Sequence, residues 1–124
     1  MIVFARNGEG FVLGDVKGRG WCTPSGRIEA GETTIDAAMR ETREEIGASL
    51  RDPRLIGHYI LRYDNGTTSR LPAFVGFAED MRALPRGSES RGVRTIALQD
   101  LPHHYYRWDD LLARVFSYAL AAFT

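Results

Sequence analysis

The stretch from Gly26 to Ala48 reads GRIEAGETTIDAAMRETREEIGA, and its second half is written for a helix from Thr33 to Gly47. Thr33 can cap the N-terminus, with Asp36 three residues on in a capping-box arrangement. Ile35, Ala38, Met39, Thr42 and Ile46 recur at helical spacing and predict one apolar face. Gly47 is a natural stop, because glycine tolerates the left-handed conformation that ends many helices. Glu41, Glu44 and Glu45 are three and four residues apart, so they share one side of this helix. They border the apolar stripe, at the edge of the buried face. Glu32 lies just before the helix and can fold back over it.

Such crowding has a cost. Like charges at i,i+4 destabilise a helix by roughly 0.2–0.5 kcal/mol per pair, and Glu44 and Glu45 lie toward the end where the helix dipole disfavours negative charge. Arg40 offsets part of this, with Asp36 four residues before it and Glu44 four after. Glu41 and Glu45 remain unbalanced. A hard divalent cation would relieve their repulsion; carboxylate oxygens suit Mg²⁺ or Mn²⁺, and no thiolate or paired-histidine set favours zinc. Spacing alone leaves two readings open, a cation site or a solvated acidic face on a surface helix.

On either side of this helix the pattern is of strands and turns. Ile2 to Arg6, Phe11 to Leu13 and Trp21 to Thr23 read as short strands, with turn chemistry at Asn7-Gly8-Glu9-Gly10 and a loop from Gly14 to Gly20. Pro24-Ser25-Gly26 breaks the third strand. Beyond the helix, Leu55 to Tyr63 and Pro72 to Ala78 form a hairpin about Asp64-Asn65-Gly66. A loop from Arg86 to Gly92 leads to a strand from Val93 to Leu98. Trp108, Leu111, Leu112, Val115, Phe116, Ala119, Leu120 and Phe123 then repeat at three and four residues, as a helix with one broad apolar face does. Strands, helix, strands, helix in that order predict a mixed sheet with helices on its faces.

The 124 residues make one domain, 44% apolar and 26% charged, which excludes a wholly disordered chain. Sixteen basic residues balance sixteen acidic ones, so the basic excess expected of a binder of duplex nucleic acid is missing. No stretch has the apolar length of a membrane span or of a signal-peptide core. The single cysteine, Cys22, reads as packing in a reducing, cytoplasmic compartment.

The segment from Gly26 to Ala48 resembles the Nudix box, G-x5-E-x7-R-E-U-x-E-E-x-G-U with U a bulky apolar residue. Gly26, Glu32, Arg40, Glu41, Glu44, Glu45 and Gly47 meet all seven fixed positions. At roughly one residue in fifteen per position, a chance match has odds on the order of 10⁻⁸. Three positions depart from the pattern. Thr42 and Ala48 stand at the two U positions, and Ser25 stands where many members have a first glycine. Serine would be strained there if the position requires positive φ.

The resemblance implies an α/β/α sandwich and a hydrolase that cleaves a nucleoside diphosphate linked to another group, using Mg²⁺ or Mn²⁺ and water attack on phosphorus. By position, it implies Glu41 and Glu45 as principal metal ligands. Glu44 would bind a second metal or orient the water, and the Ser25 carbonyl would be a further ligand. Arg40 would anchor the carboxylates through Glu32, with Gly26 and Gly47 structural to the site. Members take a further carboxylate from outside the box; Glu89 is the choice here, with Glu79 and Asp80 as rivals. Partners would be small nucleotides, and the chain a monomer or homodimer. The alternative is a catalytically silent Nudix domain that senses a nucleotide.

Substrate contacts are not marked by any motif; Arg27, Tyr63 and Tyr105 are candidates. His103-His104 reads as the loop into the last helix, with Tyr105 or Tyr106 as a stacking surface in the second reading. Tyr59, Tyr63 and Phe74 are strand aromatics of core type. Lys17 and Arg19 lie in the Gly14 to Gly20 loop, where they can reach phosphates or simply face solvent.

Overall fold

A computed structural model describes residues 1–122, so Phe123 of the last helical stripe lies outside the described residues. Six strands run β1 (Ile2–Asn7), β2 (Gly10–Val16), β3 (Gly20–Cys22), β4 (Ser49–Arg62), β5 (Thr68–Glu79) and β6 (Ser90–Ala97). Helix α1 spans Thr34–Ile46, a short α2 Leu101–His104, and α3 Asp110–Ala121. The sheet order is β3-β2-β1-β5-β4, with β6 also paired to β2. β1 lies parallel to β5, from Ile2 against Ala73 to Arg6 against Phe77. The other pairs are antiparallel, so the sheet is mixed.

Strand residues alternate between two cores, as the period of two requires. Val3, Ala5, Val12 and Phe74 join Ala37, Ala38 and Ile46 of α1 on one face. Phe4, Phe11, Leu13 and Val75 join Leu112, Phe116 and Ala119 of α3 on the other. Phe116 is the centre of the second core. Its ring meets Phe4 and Phe11 edge-on, each at 4.8 Å, and stacks with Trp108 at 5.7 Å. Helices on both faces of one mixed sheet give the α/β/α sandwich.

Several elements differ from the sequence reading. The apolar face of α1 is rotated: Ile35 and Met39 are 43% and 46% exposed, while Ala37, Ala38, Thr42, Glu45 and Ile46 are buried. Small side chains let the helix come close to the sheet, and the two larger ones are left outside. Gly14 to Gly20 is not a loop. β2 continues to Val16 and turns at once into β3, because Gly14 is a strand glycine whose bare Cα admits the backbone of α1. A Cβ there would lie 2.6 Å from the Glu45 carbonyl oxygen.

The β4–β5 hairpin is longer at both ends than expected. β4 passes Arg51-Asp52-Pro53 through an irregularity in register, with Asp52 at φ 50°; a bulge carries the polar, proline-containing segment that argued against a strand. β6 begins at Ser90, inside the expected loop. His103 and His104 belong to α2. Trp108 precedes α3, which Asp109 caps by accepting from the Leu112 amide at 2.7 Å. Leu111 faces outward at the first turn.

Candidate active site

The segment after β3 is fastened to β1. The Val3 amide donates to the Pro24 carbonyl at 2.8 Å and the Gly26 amide to the Met1 carbonyl at 3.1 Å, on either side of a bridge between Ile2 and Ser25. In such a non-hydrogen-bonded antiparallel pair, the N–H and C=O of Ser25 both point away from β1. The N–H donates to Glu45 Oε2 at 2.7 Å, which puts the Ser25 carbonyl on the same side as that carboxylate. Ser25 has no positive φ, so the strain that serine would suffer in a left-handed position does not arise.

Arg40 gathers the acids. Its Nε and one terminal nitrogen clamp the two oxygens of Glu32 at 2.7 and 3.0 Å. That same nitrogen holds the Arg27 carbonyl at 3.0 Å, and the other donates to Glu41 at 2.9 Å and Glu44 at 3.2 Å. The Arg40–Glu44 spacing acts as anticipated, whereas Asp36 closes the capping box with Thr33 instead of pairing with Arg40. The guanidinium hydrogen bond and the Glu29 amide hold the Glu32 carboxyl below its usual range, and the Glu32 bond is the main cause that raises Arg40. Gly26 leaves room for the cluster: a Cβ would come within 2.5 Å of Glu41 Cδ.

The three helix carboxylates are not equivalent. Glu44 is half-exposed. Burial pushes Glu41 above the ordinary carboxyl range, against the pull of Arg40. Glu45 is 8% exposed. Burial pushes it up to about 7, with the Ser25 N–H opposing and the charges of Glu41 and Glu89 adding to the rise. Among the described residues no cationic side chain lies within ion-pair distance of Glu45.

Glu41, Glu44 and Glu45 line a cleft of about 460 Å³ with Ser25, Gly26, Glu29, Arg40, Arg19 and the loop Pro85 to Glu89. Glu89 is therefore on the wall facing α1. Glu79 and Asp80 do not line this cleft; Glu79 accepts from Arg51 at 2.8 Å. Arg19 lines it and Lys17 does not. Gly47 ends α1 at φ 70°. Of the substrate candidates, Arg27 is engaged through its carbonyl, and Tyr63 bonds Ser69 Oγ at 3.2 Å near the hairpin turn. Tyr105 is packed among Tyr106, Trp108 and Phe116 and accepts from the Thr23 amide at 3.3 Å. None of these three side chains lines the carboxylate cleft. A larger cavity, about 590 Å³, lies between β4 and α3 and has no carboxylate in its wall.

Sequence reasoning missed Gly14, which seats the end of α1, and Ser88, whose hydroxyl donates to the Glu44 carbonyl at 2.6 Å. An isolated glycine within a strand pattern is a signal of close backbone approach; Ser88 carries no such signal.

A model of the NUDIX domain matches residues 1–116. The chain belongs to the Nudix hydrolase family. This Nudix domain is 33% identical over 84 residues to Nudix hydrolase 3 of Caenorhabditis elegans, a match covering 64% of this chain and 35% of that protein. It is 35% identical over 57 residues to a putative 8-oxo-dGTP diphosphatase, YtkD, of Bacillus subtilis, covering 46% and 36%. The matched stretch thus spans about a third of either relative. Among solved structures, the Bacillus subtilis pyrophosphohydrolase BsRppH superposes with a TM-score of 0.79 at 20% identity, over 98% of this chain and 79% of that one. A Nudix hydrolase from Nitrosomonas europaea superposes with a TM-score of 0.75 at 22% identity, over 98% and 86%. These structural likenesses are likenesses of fold.

The donor set of the Nudix domain fits a hard divalent cation. Every candidate ligand is oxygen, and Glu45 is a buried carboxylate that accepts one amide hydrogen bond and feels the Arg19 charge only from beyond ion-pair distance. No three Asp, Glu, His or Cys side chains are already gathered as a cage among the described residues. Mg²⁺ does not ask for one, since it keeps several waters and takes one or two carboxylates together with substrate phosphates.

Proposed function

We propose that this Nudix domain hydrolyses the diphosphate link of a small nucleotide, with Mg²⁺ or Mn²⁺ held by Glu41, Glu45 and the Ser25 carbonyl and with Glu44 reaching a second ion or the water. The observation that carries the reading is Glu45, a carboxylate kept out of water beside Glu41, with one N–H as its hydrogen-bond donor and no cation at ion-pair distance among the described residues. A group so placed is costly to ionise unless a cation comes to it. When bound, the cation neutralises phosphate charge and lowers the pKa of the attacking water.

The chain's own residues do the rest. Arg40 draws Glu41 and Glu44 to one side and so keeps their oxygens from splaying into solvent. Glu89, across the cleft, accepts the proton that the water loses as its oxygen bonds to phosphorus and the bridging P–O bond breaks. Arg19 meets no carboxylate at ion-pair distance among the described residues; one terminal nitrogen donates to Cys22 Sγ at 3.8 Å and Ser25 Oγ at 3.4 Å, and the rest of its fork, which lines the cleft, can take phosphoryl oxygens. A charge balance of zero supports small nucleotides over duplex nucleic acid as partners. The lone, buried Cys22 supports a reducing cytoplasm, and we take the active form to be a monomer or homodimer. No helix among the described residues is long and apolar enough to cross a membrane.

The test is hydrolysis of dGTP, 8-oxo-dGTP, ADP-ribose, diadenosine tetraphosphate and UDP-glucose with Mg²⁺ and with Mn²⁺, identifying both products. Glu45→Gln should cut the turnover of any accepted substrate by about a hundredfold or more. Turnover preserved within about threefold would rule out Glu45 as a principal ligand.

A further inference from the structure

Glu89 reaches the cleft on the segment between β5 and β6, and that segment is tied to α1 at two points. The Arg82 amide donates to the Gly47 carbonyl at 2.9 Å. Ser88 makes the second tie: its hydroxyl donates to the Glu44 carbonyl at 2.6 Å and accepts from the Ser90 amide at 3.1 Å. Glu44 is in the last turn of α1, where backbone carbonyls lack the amide four residues on. The Gly47 amide has gone to Arg43. One side-chain oxygen therefore joins the end of the glutamate-bearing helix to the first residue of β6, with Glu89 between its two anchor points. The local chain is stiffened by a turn in which the Ser88 amide donates to the Pro85 carbonyl at 3.1 Å and Gly87 takes φ 87°. The Glu89 carbonyl is held in turn by the Lys17 amide at 2.9 Å.

We infer that Ser88 is a positioning residue, whose hydroxyl fixes the separation between the α1 carboxylates and the Glu89 carboxylate across the cleft. The inference rests on the reading of Glu89 as proton acceptor. Ser88 touches neither substrate nor water in this scheme and acts only by holding the backbone on either side of Glu89. An alanine loses both bonds, and a threonine keeps the hydroxyl. The lost ties lie at the partly exposed rim, away from either core, so the fold survives the change.

The experiment compares the unaltered chain with Ser88→Ala, Ser88→Thr, Glu89→Gln and the Ser88→Ala/Glu89→Gln double variant. It uses Mg²⁺ and the member of the nucleotide panel that the unaltered chain turns over fastest. Loss of one well-aligned hydrogen bond at a reacting geometry corresponds to about tenfold in rate. Ser88→Ala should lower kcat by about that factor with KM changed less than about twofold, and Ser88→Thr should restore kcat. In the Glu89→Gln background the same alanine should cost less than about twofold, because there is no carboxylate left to position. Hydrogen exchange at the Ser90 and Lys17 amides should quicken in Ser88→Ala with the amides of α1 unchanged. An alanine that costs the same factor with and without Glu89, or that leaves kcat unchanged, overturns the assignment, as does a fully active Glu89→Gln. A chain that turns over none of the panel overturns the hydrolase reading first, and this one with it.

Discussion

Glu45→Gln should make the metal-free protein more stable at alkaline pH while it removes turnover. In the folded chain the Glu45 carboxyl is pushed up from the ordinary 4.5 to about 7, chiefly by burial. Between those two values the folded state keeps a proton that the unfolded chain has already released. Stability therefore falls as pH rises through this window, and the loss is complete above about 7. The gap, at about 1.4 kcal/mol for each pH unit, amounts to roughly 3 kcal/mol. Glutamine has nearly the same shape, can still accept from the Ser25 amide, and carries no charge to desolvate. At pH 8 in EDTA the variant should be the more stable by up to ~3 kcal/mol, or about 10 °C in Tm at this chain length. Near pH 4.5 the two proteins should melt together. Millimolar Mg²⁺ should then raise the Tm of the unaltered protein, by ~2.7 kcal/mol of stability at a hundred times its Kd, and leave the variant nearly unmoved. Thermal unfolding by circular dichroism at both pH values, with and without Mg²⁺, measures all four quantities. A variant that melts with or below the unaltered protein at pH 8 would refute the idea that the buried charge of Glu45 is a standing cost of the empty site.

Gly26→Ala places a methyl against the Glu41 carboxylate and should lower kcat on the order of a hundredfold by displacing a ligand, measured with saturating Mg²⁺. Gly47→Ala forces a side chain into φ 70° and toward the Arg82 carbonyl; a loss of about 1–3 kcal/mol is expected in urea unfolding. Phe116→Ala empties the centre of the α3 core and should cost about 3–5 kcal/mol, read from the same unfolding curves.

The helix α1, its two caps and the placement of all three glutamates along one side were legible in the residues, because capping and helical spacing are local rules. So was the hairpin turn at Asp64-Asn65-Gly66, where Gly66 takes φ 85°. The rotation of α1 was not, since Ile35 and Met39 score as apolar whichever way the helix turns. Only the sheet, which offers Val3, Ala5 and Val12, decides that alanines fit closest. The extent of β4 was hidden by Arg51-Asp52-Pro53, whose bulge depends on the partner strand. At the site, the choice of Glu89 over Glu79 and Asp80 follows the cleft wall; sequence position alone does not separate them. The tie from Ser88 to Glu44 joins residues that are far apart in sequence, and nothing near Ser88 announces it.

The alternation of β1 and β2 between two unlike cores bears on how this chain can change in length. Toward α1 these strands offer Val3, Ala5 and Val12; toward α3 they offer Phe4, Phe11 and Leu13. Deleting or inserting a single residue in β2 would exchange the two sets on that strand. Phenylalanine would then meet the underside of the glutamate helix and lever it off the sheet, parting Glu45 from Ser25. Changes of length should therefore be tolerated at the tips, around Asn7-Gly8 and Asp64-Gly66, and rejected within the strands. Conservative point substitutions at the same strand positions would do far less harm.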